Sequence, residues 1–136
     1  MGTQSTDSFG NDIACDWTYD LEEKDGLDFT EMTLQKVLDV GAGYLEAPIA
    51  QEAVAAAEVI ARLKGNYGVR DSYTVTVDKW VENHPLEPTA ALVEKATKAI
   101  QRILLEPSEL MELWQESDEL ENWKTSLEDL KLRVCR

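Results

Sequence analysis

Between Pro48 and Gly65 the chain reads IAQEAVAAAEVIARLK, and this segment limits the fold more than any other. Pro48 suits a first helical turn, where its missing N–H costs nothing. Ile49, Ala53, Ala56, Ala57, Ile60 and Leu63 recur at three and four, the period of one helix face. Gly65 then ends the pattern. Alanine alone would also suit an exposed helix, through propensity. The apolar stripe argues for burial, and small side chains let neighbouring helices approach closely. The segment therefore predicts a helix at the centre of a bundle.

The rest of the chain divides in the same way. Asn11 or Asp12 can cap a first helix with Ile13, Ala14, Trp17 and Leu21 on one stripe, closed by Lys24-Asp25-Gly26. Thr30 can cap a second, with Leu34, Val37 and Leu38 inward, and Gly41 and Gly43 end it. In DSYTVTVDKW, Tyr73, Val75 and Val77 alternate as in a strand. Nothing else in the chain offers such a strand a partner, so a short helix capped by Thr74 or Thr76 is expected. Pro85 and Pro88 bracket a linker. Thr89 can cap a fifth helix carrying Leu92, Val93, Ala96, Ala99, Ile100, Ile103 and Leu104. Leu110, Leu113 and Trp114 form a short amphipathic piece. Asp118 and Glu121, at capping-box spacing, lead into a last helix through Leu120, Trp123, Leu127, Leu130 and Val134. The expectation is an all-α, single-domain bundle of about six helices spanning residues 1–136, with the alanine-rich helix central.

Charge excludes several functions. The net charge is −14, and residues 1–68 hold 13 acids against 4 bases, so the excess is not an appended tail. Such a chain repels nucleic acid and anionic membrane and attracts a basic partner. No apolar run approaches the ~20 residues that cross a bilayer. The N-terminus has neither a basic start nor an apolar stretch, which argues against a secretory signal. It fits M-G-x-x-x-[ST] through Gly2 and Thr6, but no polybasic segment follows, and the match reads as coincidence. Cys15 and Cys135 read as two free thiols in a reducing cytoplasm.

Two acidic regions are the candidate sites. Asp12, Asp16 and Asp20 follow one another at spacing four. Such a row is first of all the solvated face of an amphipathic helix, with Asp12 favoured by the helix dipole. The second region, EPSELMELWQESDELE, contains no base. Glu109 and Glu112 have the E-x-x-E spacing of certain helical magnesium-dependent pyrophosphohydrolases, but Glu128 is followed at three by Lys131, and the second half of that pattern fails. Di-iron bundles need Glu-x-x-His, whereas Val81 precedes the single histidine, His84. Cys15, Cys135 and His84 are too scattered for zinc. No P-loop, dinucleotide, G-x-S-x-G or EF-hand pattern occurs, and no cofactor is expected. Trp17, Trp80, Trp114 and Trp123 lie on apolar stripes and read first as core, although Trp114 and Trp123 sit among acids, as a protein-binding hot spot would.

FGNDIACDW, AVAAAEVIARLKG, and SELMELWQE followed by SLEDL together resemble a mostly bacterial family called domain of unknown function 4259. Its F-x-N-D-x-A-x-D-W pattern is matched by Phe9, Asn11, Asp12, Ala14, Asp16 and Trp17. Its alanine-rich middle helix is matched by Ala53 to Ala61, and its S-E-L-x-x-L-W element by Ser108, Glu109, Leu110, Leu113 and Trp114. At Gln4-Ser5 the family more often has Trp-Gly. The resemblance implies a bacterial cytoplasmic protein and supplies no activity.

The function expected is therefore non-enzymatic binding of a basic protein, such as a toxin to be neutralised, through Asp12, Asp16, Glu109, Glu112, Trp114 and Glu116. The competing readings are a metal-dependent hydrolase using Asp12, Asp16 or Glu109, Glu112, and a module that dimerises through the last helix around Trp123.

Overall fold

The computed structural model describes residues 7–136, so Gly2, Thr6 and Gln4-Ser5 lie outside the described residues. Within them the chain forms seven helices: α1 (Asp12–Leu21), α2 (Asp28–Asp39), α3 (Ala47–Leu63), α4 (Val75–Asn83), α5 (Ala90–Ile103), α6 (Glu109–Gln115) and α7 (Leu120–Cys135). There is no sheet among them, only an isolated parallel bridge between Leu45 and Ser108. The count exceeds the expected six because the short piece around Trp114 is a helix in its own right. Ser108 caps it, accepting from the Met111 N–H at 3.4 Å.

Every residue from Ala53 to Arg62 is buried, so this stretch of α3 has no wet face. The helix packs against each of the other six helices. Alanine makes this geometry feasible, since six neighbours crowd one axis only where side chains are short. Gly65 stops the helix at φ +86°, a conformation that costs an ordinary residue ~1–2 kcal/mol. There the Asn66 N–H reaches the Ala61 carbonyl and the Gly65 N–H reaches Arg62, the Schellman closure.

Several caps are those expected. The Asn11 side chain accepts from the Ala14 N–H at 2.8 Å, and Thr89 accepts from Leu92 at 3.1 Å. Thr30 is a correction. Helix α2 starts earlier, at Asp28, because Phe29 must be helical to stack on Trp17, with ring centres 5.1 Å apart. Thr30 is consequently interior, 0% exposed, with its hydroxyl unpartnered among the described residues. Asp118 is a second correction. The N-cap of α7 is Glu119, which makes no side-chain cap bond. The turn is held instead by Ser117, whose hydroxyl accepts from the Glu119 N–H. Helix α1 also ends at Leu21, before Lys24-Asp25-Gly26.

All four tryptophans are core. The Trp17 indole N–H donates to Thr33 at 2.9 Å and that of Trp80 to the Lys24 carbonyl at 2.9 Å. No helix among the described residues is long and apolar enough to cross a membrane.

Candidate functional site

Two residues break the apolar composition of α3: Glu58 and Arg62, four apart and only 3% and 2% exposed. Charges at such depth survive only when paired and hydrogen-bonded. The Glu58 carboxylate accepts from the Arg133 Nη1 and Nη2 at 3.0 and 2.8 Å, Arg62 Nε at 3.2 Å and the Ser8 hydroxyl at 2.7 Å. Arg62 in turn donates to Asp78 on α4 at 2.6 Å and to the Val69 carbonyl at 2.7 Å. Its guanidinium also lies over the rings of Phe9 and Tyr67, 5.6 and 5.4 Å from their centres. Arg133, on α7, donates further to Asp129 at 2.8 Å and to the Asn66 carbonyl at 3.3 Å. One ionic network thus joins the N-terminal segment, α3, the 66–74 loop, α4 and α7.

Burial alone would raise the Glu58 carboxyl, but the Arg133 bond, the charges of Arg133 and Arg62, and Ser8 outweigh it and hold the group below the usual carboxylate range. Burial would lower Arg133, and the bonds and charges of Glu58 and Asp129 raise it instead. Both therefore stay ionised. Gly68 is required beside them: a Cβ there would sit 2.8 Å from the Arg133 guanidinium carbon. Above the network opens a cavity of about 220 Å³. Glu58, Arg62 and Arg133 line its interior, and the exposed Asp71, Tyr73 and Asp129 line its outer part. Nearby Cys15 is half-buried, and burial together with Asp12, Asp16 and Asp71 pushes its thiol pKa up, away from thiolate reactivity.

The residues singled out from sequence lie elsewhere. Asp12 and Asp16 are exposed on α1. Glu109 and Glu112 lie on α6 and reach the segment that leads into α3, and the exposed Glu116 is the C-cap of α6. Glu109 accepts from the Ala47 N–H at 2.7 Å, so it caps α3, whose own N-cap residue, Glu46, makes no side-chain bond. Removing this acceptor by Glu109→Ala is expected to cost ~1 kcal/mol in urea unfolding, and Glu109→Gln, which retains an acceptor, should recover most of it. Glu112 accepts from the Tyr44 hydroxyl at 3.0 Å. Trp114 is buried and stacks on Trp123 with ring centres 6.2 Å apart, so it offers partners no open aromatic face. Among the described residues, no group of three or more His, Cys, Asp or Glu side chains is arranged to hold a metal ion.

The α6 corner has a chemical character of its own. None of Glu106, Glu109, Glu112, Glu116, Asp118, Glu119 or Glu121 joins an ion pair among the described residues. Its nearby base, Arg102, is occupied by the carbonyls of Gly41, Gly43, Leu105 and Pro107. Tyr44, Leu105 and Leu113 are 50%, 60% and 44% exposed on the same corner. Desolvation, the bond to Glu112 and the charges of Glu112, Glu109 and Glu46 push the Tyr44 phenol up to about 12.

The ionic network could have been found in the sequence. A helix assigned to the centre of a bundle, yet carrying Glu58 and Arg62, sets two charges in the core that pair with one another at spacing four and still leave hydrogen-bonding capacity for further partners. What the sequence cannot supply is which distant residues answer, here Arg133 and Asp78.

A family model described as Domain of unknown function (DUF4259) matches residues 2–126. No match is found among curated proteins or among solved structures.

Proposed function

The chain belongs to the DUF4259 family, and on that premise we propose that it is a non-enzymatic protein-binding module of the bacterial cytoplasm whose acidic surface engages a basic protein. One observation carries this reading: the buried charges cancel. Glu58 and Asp78 are matched by Arg62 and Arg133, so the whole excess of −14 faces outward. A surface of that sign speeds encounter with a basic partner, such as a toxin to be neutralised, and discourages nucleic acid and anionic lipid. The α6 corner adds apolar contact area to the charge, through Tyr44, Leu105 and Leu113.

The competing metal-hydrolase reading is weakened by what Glu109 does. Its carboxylate is engaged by the Ala47 amide, where a metal ligand would need it open. Self-association through Trp123 is weakened likewise, because Trp123 is 3% exposed.

The test uses the immobilised protein, a lysate of the source cell, and two charge-reversed variants: Glu106→Lys with Glu116→Lys, and Asp12→Lys with Asp16→Lys. A basic protein should be retained at low salt and released at high salt, and one reversal should weaken its binding at least tenfold, on the order of 1.4 kcal/mol. Retention of no basic protein, or of one indifferent to both reversals, overturns the proposal.

A further inference from the structure

We propose that, within the binding role above and resting on it, the α6 corner docks a short amphipathic segment of a basic protein. The segment seats an apolar side chain on Tyr44, Leu105 and Leu113 and places lysines or arginines on the glutamates beside them. Acids alone do not choose this surface, since Asp12 and Asp16 are exposed on α1 as well. The apolar residues among the acids do.

Helix α6 buries Leu110, Met111 and Trp114. Its outward stripe is Glu109, Glu112, Leu113 and Glu116, at spacings of three and four. Leu113, 44% exposed, lies one turn from Glu109 on one side and one turn from Glu116 on the other. Two further apolar residues are brought to this helix by hydrogen bonds. The Tyr44 hydroxyl donates to Glu112 at 3.0 Å. Arg102 donates to the Gly43, Leu105 and Pro107 carbonyls at 2.6, 2.8 and 3.0 Å. The Leu45 N–H reaches the Pro107 carbonyl at 3.2 Å, and the Glu109 N–H reaches the Leu45 carbonyl at 2.8 Å. The segments carrying Tyr44 and Leu105 therefore lie side by side at the start of α6. Tyr44 is 50% and Leu105 60% exposed. Apolar residues scattered singly over a surface are ordinary, whereas three drawn from three segments to one corner, among charges, mark an interaction surface.

The charges say what covers it. Glu46, Glu106, Glu109, Glu112 and Glu116 lie on the same three segments, and none joins an ion pair among the described residues. A second copy of the chain would set these acids against their own kind, which opposes self-pairing. A basic segment neutralises them while its apolar side chain covers the patch, giving an interface with an apolar centre and a polar rim. Two of the acids are already oriented. Glu109 accepts from the Ala47 N–H at 2.7 Å and Glu112 from Tyr44, each through Oε1. Carboxylates fixed before contact lose less side-chain freedom on binding.

The experiment is a two-dimensional amide NMR titration of the full chain with two synthetic peptides of ~14 residues, long enough as helices to span the two turns of α6. One carries leucines on one helical face and lysines on the other. The second has the same lysines, with serine for every leucine. The amphipathic peptide should shift the amides around Tyr44, Leu105 and Leu113 most, and should bind at least tenfold more tightly than the serine peptide. Leu105→Ser combined with Leu113→Ser alters exposed side chains, so Tm should change little. The tenfold preference should vanish in that variant, while the serine peptide binds as before. If the shifts centre on Asp12 and Asp16, if the two peptides bind the natural chain equally, or if the double variant keeps the preference, the docking corner is refuted and the wider reading of an acidic binding surface stands. If neither peptide binds even at low salt, both are overturned.

Discussion

Glu58→Ala is expected to lower the unfolding free energy by about 3–5 kcal/mol, a large share of what a domain this size possesses. The reason is what it leaves behind. Arg133, whose side chain is 8% exposed, loses two of its four bonds, and Arg62, 1% exposed, loses its partner one turn away. Neither guanidinium can give up its proton, and little of either is open to solvent. Arg133→Met should cost a similar amount by stranding Glu58. Combining Glu58→Leu with Arg133→Met should cost less than either single change, because an apolar pair replaces an ionic one. Guanidinium chloride unfolding of the four proteins decides this, and a double variant as unstable as the sum of the singles would contradict it.

The same carboxylate gives the protein a pH dependence of definite sign. Its pKa is held down in the folded chain by Arg133 and Arg62. On acidification the unfolded chain therefore takes up the proton first, near the ordinary glutamate value of about 4.3. The stability Glu58 contributes is complete above that value. It is lost as pH falls from there through the depressed folded-state value. The stability difference between the natural chain and Glu58→Gln should therefore be constant near neutrality and shrink below about pH 4.3.

Trp123→Ala is the second large effect, at about 3–5 kcal/mol. Trp123 is 3% exposed and stacks on Trp114 with planes 14° apart, so truncation opens a cavity and removes the ring contact together. Loss of near-ultraviolet circular dichroism from the stacked indoles should accompany the drop in stability. Were the indole an exposed docking group, the change would cost almost nothing in unfolding.

The fold was legible where a single physical rule sufficed. Pro48, the stripe from Ile49 to Leu63 and Gly65 defined α3 because start, face and stop all agreed. Asn11 and Thr89 worked as caps because each directly precedes its first helical turn. Thr30 misled because a threonine before an apolar run has cap chemistry, while the stacking of Phe29 on Trp17, which moves the boundary, is a tertiary contact that periodicity does not encode. The acids of α6 were legible as a group but not as individuals. Nothing local to Glu109 says that its oxygen caps a helix 62 residues away in sequence. The cavity was hidden for the same reason, since Glu58, Asp71 and Arg133 meet only after three segments have folded together.

That α3 touches every other helix has a consequence for how the molecule comes apart. A hub with no wet side from Ala53 to Arg62 has no partial state in which it is helical and its neighbours are absent, since its backbone would then expose a continuous apolar cylinder to water. The amide protons from Ala53 to Arg62 are expected to exchange with solvent only when the assembly as a whole comes apart, so that their protection reports the global unfolding free energy. The architecture makes the chain behave as one cooperative unit, built around a rod of alanine that is helical only in company.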